Sequence, residues 1–377
     1  MAPLDLICMG LVLALIAAVG VGGARRHPAR EDFFSKEESN ALRGFWCLVI
    51  ILVHVPVAYQ NPIQDAVGSF AYIGVTFFFM TSAYGLSLGL ASRGVRALDG
   101  FWIRRLPKIL VPCLLVNVLK LVESYAFGSP DSILTLLRVD NWVVWLLLCY
   151  LAFWATNKFL PVDKARKDLL TVGCVALLSV VGYVAGDLSP IYRWPTEIWG
   201  FAWGILLSRN KDHLCDALRC RPVASLALTT AASVLIGFLY LKCKGVPFFG
   251  DYLLKILLGM ALVMLMLVVD SLLSLGSRLN AILGSISYEV YLVHGTVFSL
   301  VSEITGGGSR RGHSSRSRLR EPFWSHGSFT GLGSLLCPLF AFHLTERGTG
   351  GRDLMSLTSI CLYSVPCGDS FAIGGVL

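Results

Sequence analysis

Long apolar runs recur along most of this 377-residue chain and constrain its fold more than any other feature. A helix needs roughly 17–25 mainly apolar residues to cross a hydrocarbon layer, and lipid cannot satisfy the backbone of an open sheet. Hydrophobic residues make up 55% of the chain and charged residues 15%, whereas soluble domains carry roughly 25% charged residues. The runs predict spans near residues 4–22, 44–60, 68–90, 109–126, 142–160, 169–186, 194–207, 223–241, 252–272 and 282–303. We therefore predict an all-α fold, a polytopic integral membrane helical bundle of about ten transmembrane helices.

Lysine and arginine gather in alternate loops between these runs. The loops that we predict to be cytoplasmic hold 19 Lys and Arg residues, and the opposite loops hold 4. Cytoplasmic loops of membrane proteins carry this excess of positive charge. The net charge of +8 therefore reflects topology, and we predict no nucleic-acid partner. We expect the protein in the cell membrane, plasma or inner, as a multi-pass protein.

The composition divides the chain into three parts. Residues 1–40 hold the first apolar run and a basic linker; no Lys or Arg precedes the run, which predicts an uncleaved anchor with its N-terminus outside. Residues 41–304 hold the other nine runs and form the predicted membrane domain. Residues 305–377 begin with a basic Gly/Ser-rich segment without periodicity, which is typical of disorder or of an altered reading frame.

Arg43 and His54 are two costly polar residues in the second apolar run. They are eleven residues apart, and eleven steps of about 100° bring both side chains to one helix face, roughly 16 Å apart along the axis. Arg43 could be an anchor to lipid headgroups or a bidentate phosphate ligand. His54 could be a polar helix–helix contact or a general base, because histidine ordinarily titrates near neutral pH. An ionisable residue at such a depth is by default a candidate for function.

Two further polar groups accompany this pair. A predicted cytoplasmic loop carries five cations, which could determine topology or hold the phosphates of a nucleotide-bearing substrate: Arg93, Arg96, Arg104, Arg105 and Lys108. In the last clear run, Tyr288, Tyr291 and His294 recur every third residue and lie on one side of a helix, either as a structural seam or as part of a site.

Acidic residues supply no evident partner for either histidine. Glu289 points about 140° away from His294 on the same helix. Glu197, Asp270 and Glu123 lie near span ends, where exposure to headgroups would explain them. We predict no metal site and no bound cofactor.

Four segments of the chain resemble motifs of the membrane-bound acyltransferase family 3, and they occur in that family's order. They are Leu42-Arg43-Gly44 followed by His54, the run Gly74–Tyr84, the loop Arg104–Lys108, and the helix Ile286–His294. Lys108 stands where that family has an arginine, so the charge is kept and the planar fork is lost. Each motif alone is weak, and their combination over residues 42–294 is specific.

The resemblance implies transfer of an acyl group, usually acetyl, from cytoplasmic acyl-CoA to a hydroxyl of a cell-surface or lipid-linked glycan. It implies that His54 is catalytic, as a general base or as an acyl carrier, and that Arg43, Arg104, Arg105 and Lys108 bind the acyl donor. Tyr288, Tyr291 and His294 would then belong to the acceptor site or its pathway. Two alternatives stay open: a transporter or flippase for a lipid-linked sugar, and an inactive family member that lacks its last helix.

Overall fold

A computed structural model describes scattered positions between 7 and 26 and then residues 33–54, 67–128, 130–186, 194–275 and 278–304. The predicted tail, 305–377, and most of the first predicted span lie outside the described residues. The three-part division of the chain therefore stays a prediction.

Ten α-helices form the described part of the chain. They are α1 (Lys36–Val53), α2 (Tyr72–Arg93), α3 (Phe101–Ala126), α4 (Asn141–Phe159), α5 (Lys164–Val184), α6 (Trp199–Cys220), α7 (Pro222–Cys243), α8 (Lys255–Leu272), α9 (Arg278–Ser285) and α10 (Ser287–Ile304). Short 3₁₀ helices cover Gly94–Leu98 and Ile133–Leu137, and a π-helix covers Phe249–Leu254. Two-residue strands β1 (Arg25–Arg26) and β2 (Leu273–Ser274) pair antiparallel. The all-α class is confirmed.

Six described helical segments are long and apolar enough to cross a membrane, and they coincide with six of the predicted spans. They are Tyr72–Leu98, Phe101–Ala126, Ile133–Phe159, Lys164–Val184, Pro222–Cys243 and Phe249–Leu272. Only residues 199–207 of the predicted span 194–207 are helical, at the start of the longer helix α6, and the predicted span 282–303 is divided between α9 and α10. The predicted loop 91–108 is mostly helical, so Arg104, Arg105 and Lys108 lie in the first turns of α3.

Helix α1 begins at a capped N-terminus and is held tightly along its first turns. The Ser35 side chain accepts a hydrogen bond from the Glu38 amide at 3.2 Å, which satisfies one of the free N–H groups of the first turn. Gly284 of α9 lies against Asn40 so closely that a Cβ there would come within 3.0 Å of the Asn40 Cα and nearer still to its carbonyl group. Close approach through small residues is typical of membrane helices. This contact fixes the position of α1 beside α9.

Helix α10 runs beside α1 in the same direction. The Cys47 thiol lies 3.5 Å from the Ser287 carbonyl oxygen, and seven residues further along both helices His54 lies against His294. The helices therefore keep one register from the predicted cytoplasmic side towards the histidines. Helix α2 packs on α6, where Gly200 leaves no room for a side chain against the Thr76 carbonyl. These packings bring α1, α2, α4 and α10 around one interior space.

Candidate active site

The structure brings His54 and His294 together at the end of α1. Their ring centroids are 4.9 Å apart with an interplanar angle of 61°. His54 directly follows Val53, the last residue of α1, and its backbone N–H donates to the Ile51 carbonyl oxygen. Both side chains are half-buried. The sequence analysis places these residues on separate helices with separate roles, and the fold brings them together as one pair.

Each histidine ring is held by a carbonyl group of its own helix. His54 Nδ1 lies 2.6 Å from the Ile50 carbonyl oxygen, and His294 Nδ1 lies 2.5 Å from the Tyr291 carbonyl oxygen. A carbonyl oxygen only accepts, so Nδ1 carries the proton in both rings and Nε2 carries the lone pair. In this tautomer Nε2 is the nitrogen of each ring that can accept a proton.

A cavity of about 40 Å³ lies between α1, α2, α4 and α10, towards the predicted cytoplasmic end from the histidines. Its lining includes Arg43, Phe78, Ser82, Trp142, Tyr288 and Tyr291. The Tyr291 ring lies 4.8 Å from the Trp142 ring and 5.6 Å from the His294 ring. Tyr291 therefore connects the cavity to the histidine pair.

Arg43 lies inside the bundle at this cavity. Its guanidinium carbon is 5.8 Å from the centroid of the Phe78 ring, a cation–π distance. Its Nε is buried and has no hydrogen-bond acceptor among the described residues. Of the two interpretations from sequence, this position suits a ligand contact better than an anchor in the headgroups.

The basic residues of α3 line a second cleft. Arg104 and Arg105 line it together with Arg93 of α2, a member of the same predicted basic loop. Arg104 Nη2 donates to the Ala97 carbonyl at 3.0 Å, which fixes its side chain across the turn. Lys108 is exposed on α3 and is not among the residues that line this cleft.

Tyr150 lies near both sites. It is buried on α4, and both Arg105 and Arg43 are close enough to interact with its hydroxyl group. The basic cleft, Tyr150 and the inner cavity thus follow one another from the predicted cytoplasmic side inwards. The predicted donor-binding residues are divided between the cleft and the cavity, and their role stays a prediction.

The two tyrosines of the predicted seam have different surroundings. The Tyr288 hydroxyl donates to the Ile109 carbonyl at 2.7 Å and lies 3.2 Å from the Cys113 thiol, so it joins α10 to α3. Tyr291 is buried among aromatic rings, with Phe78 at 6.1 Å in addition to Trp142 and His294. These contacts give Tyr288 a structural role and place Tyr291 beside the candidate base.

Two acids that the sequence explained by exposure to headgroups are instead buried, so that interpretation was wrong. Glu197 is 1% exposed; its Oε1 lies 2.6 Å from Lys255 Nζ, and its Oε2 accepts from Thr196 at 2.9 Å. Asp270 is fully buried, and its Oδ2 accepts a hydrogen bond from the Phe34 amide at 2.7 Å. Hydropathy reports how apolar a run is but not which side faces the bundle.

Trp142 is the residue of the inner cavity that sequence reasoning missed. It stands in the first turn of α4, where a tryptophan ordinarily suggests a membrane-interface anchor. The fold instead buries it, with its ring also 5.6 Å from Tyr288. Only its contacts across helices reveal its place, and a single sequence carries no signal of those.

A multi-helix membrane bundle that encloses a histidine pair beside a basic cleft has the arrangement of an integral membrane group-transfer enzyme. The family model for the acyltransferase domain of acyltransferase family 3 matches residues 37–343, most of the chain, and the chain belongs to this family. The resemblance drawn from the four motifs is thereby confirmed. No curated relative and no solved structure matches the chain. The protein is therefore a multi-pass membrane acyltransferase.

Proposed function

We propose that this acyltransferase moves an acyl group, most simply acetyl, from cytoplasmic acyl-CoA to a hydroxyl of a cell-surface or lipid-linked glycan. The observation that carries the proposal is the His54–His294 pair, whose Nδ1 atoms are both engaged by carbonyl groups. A neutral imidazole that carries its proton on Nδ1 can act through Nε2 as the general base for a hydroxyl. The basic cleft at the predicted cytoplasmic side supports a polyanionic donor.

In the proposed reaction, His54 Nε2 takes the proton of the acceptor hydroxyl as that oxygen attacks the thioester carbonyl. The C–S bond of the tetrahedral intermediate then breaks, and the CoA thiolate takes the proton back from His54. The products are the acyl ester and the CoA thiol, so atoms and charge balance. The His294 ring, whose centroid lies 4.9 Å from that of His54, adjoins the imidazolium that forms.

An acyl carrier is the alternative role for His54. In that case Nε2 would attack the thioester, and the acceptor would then attack an acyl-imidazole. We favour the general base, because a proton transfer asks for less precise positioning than two successive acyl transfers. A quench with radiolabelled acetyl-CoA in the absence of acceptor separates the two, since only the carrier leaves label on the protein.

Donor binding would be shared between the two polar sites. Arginine guanidinium groups bind phosphate oxygens in pairs, and Arg93, Arg104 and Arg105 surround the outer cleft. Lys108 lies one turn further along α3 and would add to the positive field. The acyl end of the donor would extend past Tyr150 and Arg43 towards His54.

The test is glycan O-acetylation in cells that lack their own enzyme, with purified protein assayed on acetyl-CoA in parallel. His54→Ala should lower the rate by about 10²–10⁴-fold, the usual contribution of a general base. His213→Ala is the control, because His213 is exposed on α6, away from the site. Full activity in His54→Ala would refute the catalytic role, and inert wild-type protein with every acyl-CoA would refute the proposed function.

A further inference from the structure

Neither histidine of the pair offers a hydrogen-bond donor to a ligand while its ring is neutral. The Nδ1–H groups of His54 and His294 are engaged by carbonyl oxygens of their own helices, at 2.6 and 2.5 Å. The other nitrogen of each ring, Nε2, carries a lone pair, which accepts a hydrogen bond but does not donate one. In the proposed reaction, negative charge develops on the thioester carbonyl oxygen, and enzymes usually direct preformed donors at such an oxygen. The donor must therefore come from another residue.

Lys120 lies on the face of α3 that is turned towards the bundle. Ile109, Cys113 and Asn117 mark this face, and all three are buried. Lys120 follows Asn117 by about one helical turn and is half-buried, whereas its neighbour Leu119 is exposed. An ionisable side chain on the inner face of a membrane helix is costly and is by default a candidate for function.

The register between α3 and α10 brings Lys120 level with the histidine pair. The Cys113 thiol lies 3.2 Å from the Tyr288 hydroxyl, and both helices run outwards from the predicted cytoplasmic side. Seven residues make about two helical turns, or about 10.5 Å, so the same step along both helices brings Lys120 opposite Gly295, the residue after His294. A Cβ at Gly295 would meet no described atom within 4 Å. Space for the lysine side chain is therefore open beside His294.

The electrostatic interactions of Lys120 agree with this register. Its ammonium group is close enough to interact with the His294 ring and, two turns back along α3, with the Cys113 thiol. Lys120 forms no ion pair with a described carboxylate. A protonated lysine carries three N–H donors and no acceptor, so it suits an oxygen that gains negative charge.

We infer that Lys120 is a further catalytic residue, which donates a hydrogen bond from its ammonium group to the oxyanion of the tetrahedral intermediate. This inference rests on the proposed function and adds a residue that lies outside the four sequence motifs. As the acceptor oxygen bonds to the thioester carbon, the electron pair of the C=O π bond moves to the carbonyl oxygen, beside Lys120. When the C–S bond breaks, that pair forms the carbonyl again, and the proton held by His54 goes to the sulfur. Lys120 stays an ammonium group throughout.

Steady-state kinetics of the full-length protein in lipid nanodiscs test the inference. Radiolabelled acetyl-CoA is the donor, and deacetylated surface polysaccharide of the complemented cells is the acceptor. Lys120→Met keeps the length of the side chain and removes its charge and donors. Its kcat should fall by about 10²–10³-fold, the effect of one oxyanion donor, while KM for either substrate changes little. Lys120→Arg keeps a cation with N–H donors and should recover at least about tenfold of this loss.

Lys242→Met is the matched control. Lys242 is exposed near the outer end of another span, α7, where its ammonium nitrogen lies 5.6 Å from the centroid of the Phe238 ring on the same helix. Its kcat and KM should stay within about twofold of wild type, as is usual for a surface substitution. Thermal unfolding shows whether each variant is folded. Because Lys120 has no counter-ion among the described residues, Lys120→Met should unfold at the wild-type temperature or above it.

The outcomes separate this inference from the function on which it rests. An active wild type with unchanged kcat in Lys120→Met would assign the ammonium group to the lipid headgroups and overturn the inference alone. A raised KM for the polysaccharide at unchanged kcat would also overturn it, because Lys120 would then bind the acceptor in its ground state. Failure of both Lys120→Met and the polar Lys120→Gln to fold would give Lys120 a structural role and overturn it too. Wild-type protein that is inert with every acyl-CoA would overturn the proposed function and the inference together.

Discussion

The contact between Gly284 and Asn40 makes a strong prediction about stability. Alanine at residue 284 would place its Cβ within 3.0 Å of the Asn40 Cα and in overlap with the Asn40 carbonyl group, so α1 and α9 must separate. Overpacking of this kind costs about 1–3 kcal/mol. The helix propensity of alanine returns up to about 1 kcal/mol, so the net effect of Gly284→Ala should still be destabilising.

Gly295→Ala is the matched control, because Gly295 lies within α10 and a Cβ there would meet nothing within 4 Å. It should be neutral or stabilising by up to about 1 kcal/mol. Thermal unfolding of both variants in the same detergent gives the comparison. Because α1 carries Arg43 and His54, Gly284→Ala should also lower acetyl transfer more than stability alone explains. Equal melting temperatures for the two variants would show that α1 and α9 do not approach as described.

Two other predictions concern polar contacts within the bundle. Glu197→Gln should lower the free energy of unfolding by about 3–5 kcal/mol, because Lys255 is left without its counter-ion. Glu289→Gln, at an exposed site, is the control and should change the free energy of unfolding little. Equal effects of the two variants would contradict the buried ion pair. Tyr288→Phe should cost about 0.5–1.5 kcal/mol of stability by removing the hydrogen bond from its hydroxyl to the Ile109 carbonyl, with turnover retained within a few-fold. Loss of turnover at unchanged melting temperature would instead give that hydroxyl a part in the chemistry.

The sequence predicted the helical class and most helix positions, because hydrophobic run length is a local property. It also predicted that Arg43 and His54 share a helix face, since helical periodicity fixes the angle between them. The pairing of His54 with His294 was beyond its reach: they are 240 residues apart, and only the register of α1 against α10 brings them together. The same holds for Trp142, whose neighbours Tyr288 and Tyr291 belong to another helix.

The acids show a different limit of sequence reasoning. Glu197 and Asp270 lie near the ends of apolar runs, where a single sequence cannot distinguish a headgroup contact from a buried one. The Lys255 that neutralises Glu197 is 58 residues away, on α8. Hydropathy therefore assigned both acids to the membrane surface, and only the helix packing shows that they face the interior.

The polar residues along the proposed reaction path change from charged to neutral. The outer cleft holds the guanidinium groups of Arg93, Arg104 and Arg105, and Arg43 is the last cation before the histidines. Beyond Arg43 the lining offers neutral groups such as Trp142 and Tyr291. Burying a charge becomes more costly with depth in the membrane, so neutral hydrogen-bond donors cost less free energy than cations in the inner part of the path.

A donor molecule that is charged at one end and neutral at the other would match this order of residues. Acyl-CoA carries its phosphates at one end, neutral amides in the middle and a neutral thioester at the other. Held in this order, the phosphates would stay at the aqueous side and only the neutral arm would enter the bundle, so no anion need be desolvated beside His54. The charge gradient would thus favour one orientation of the proposed donor, because the reverse orientation would bring phosphates to the neutral end, where no described residue lining the cavity other than Arg43 is a cation.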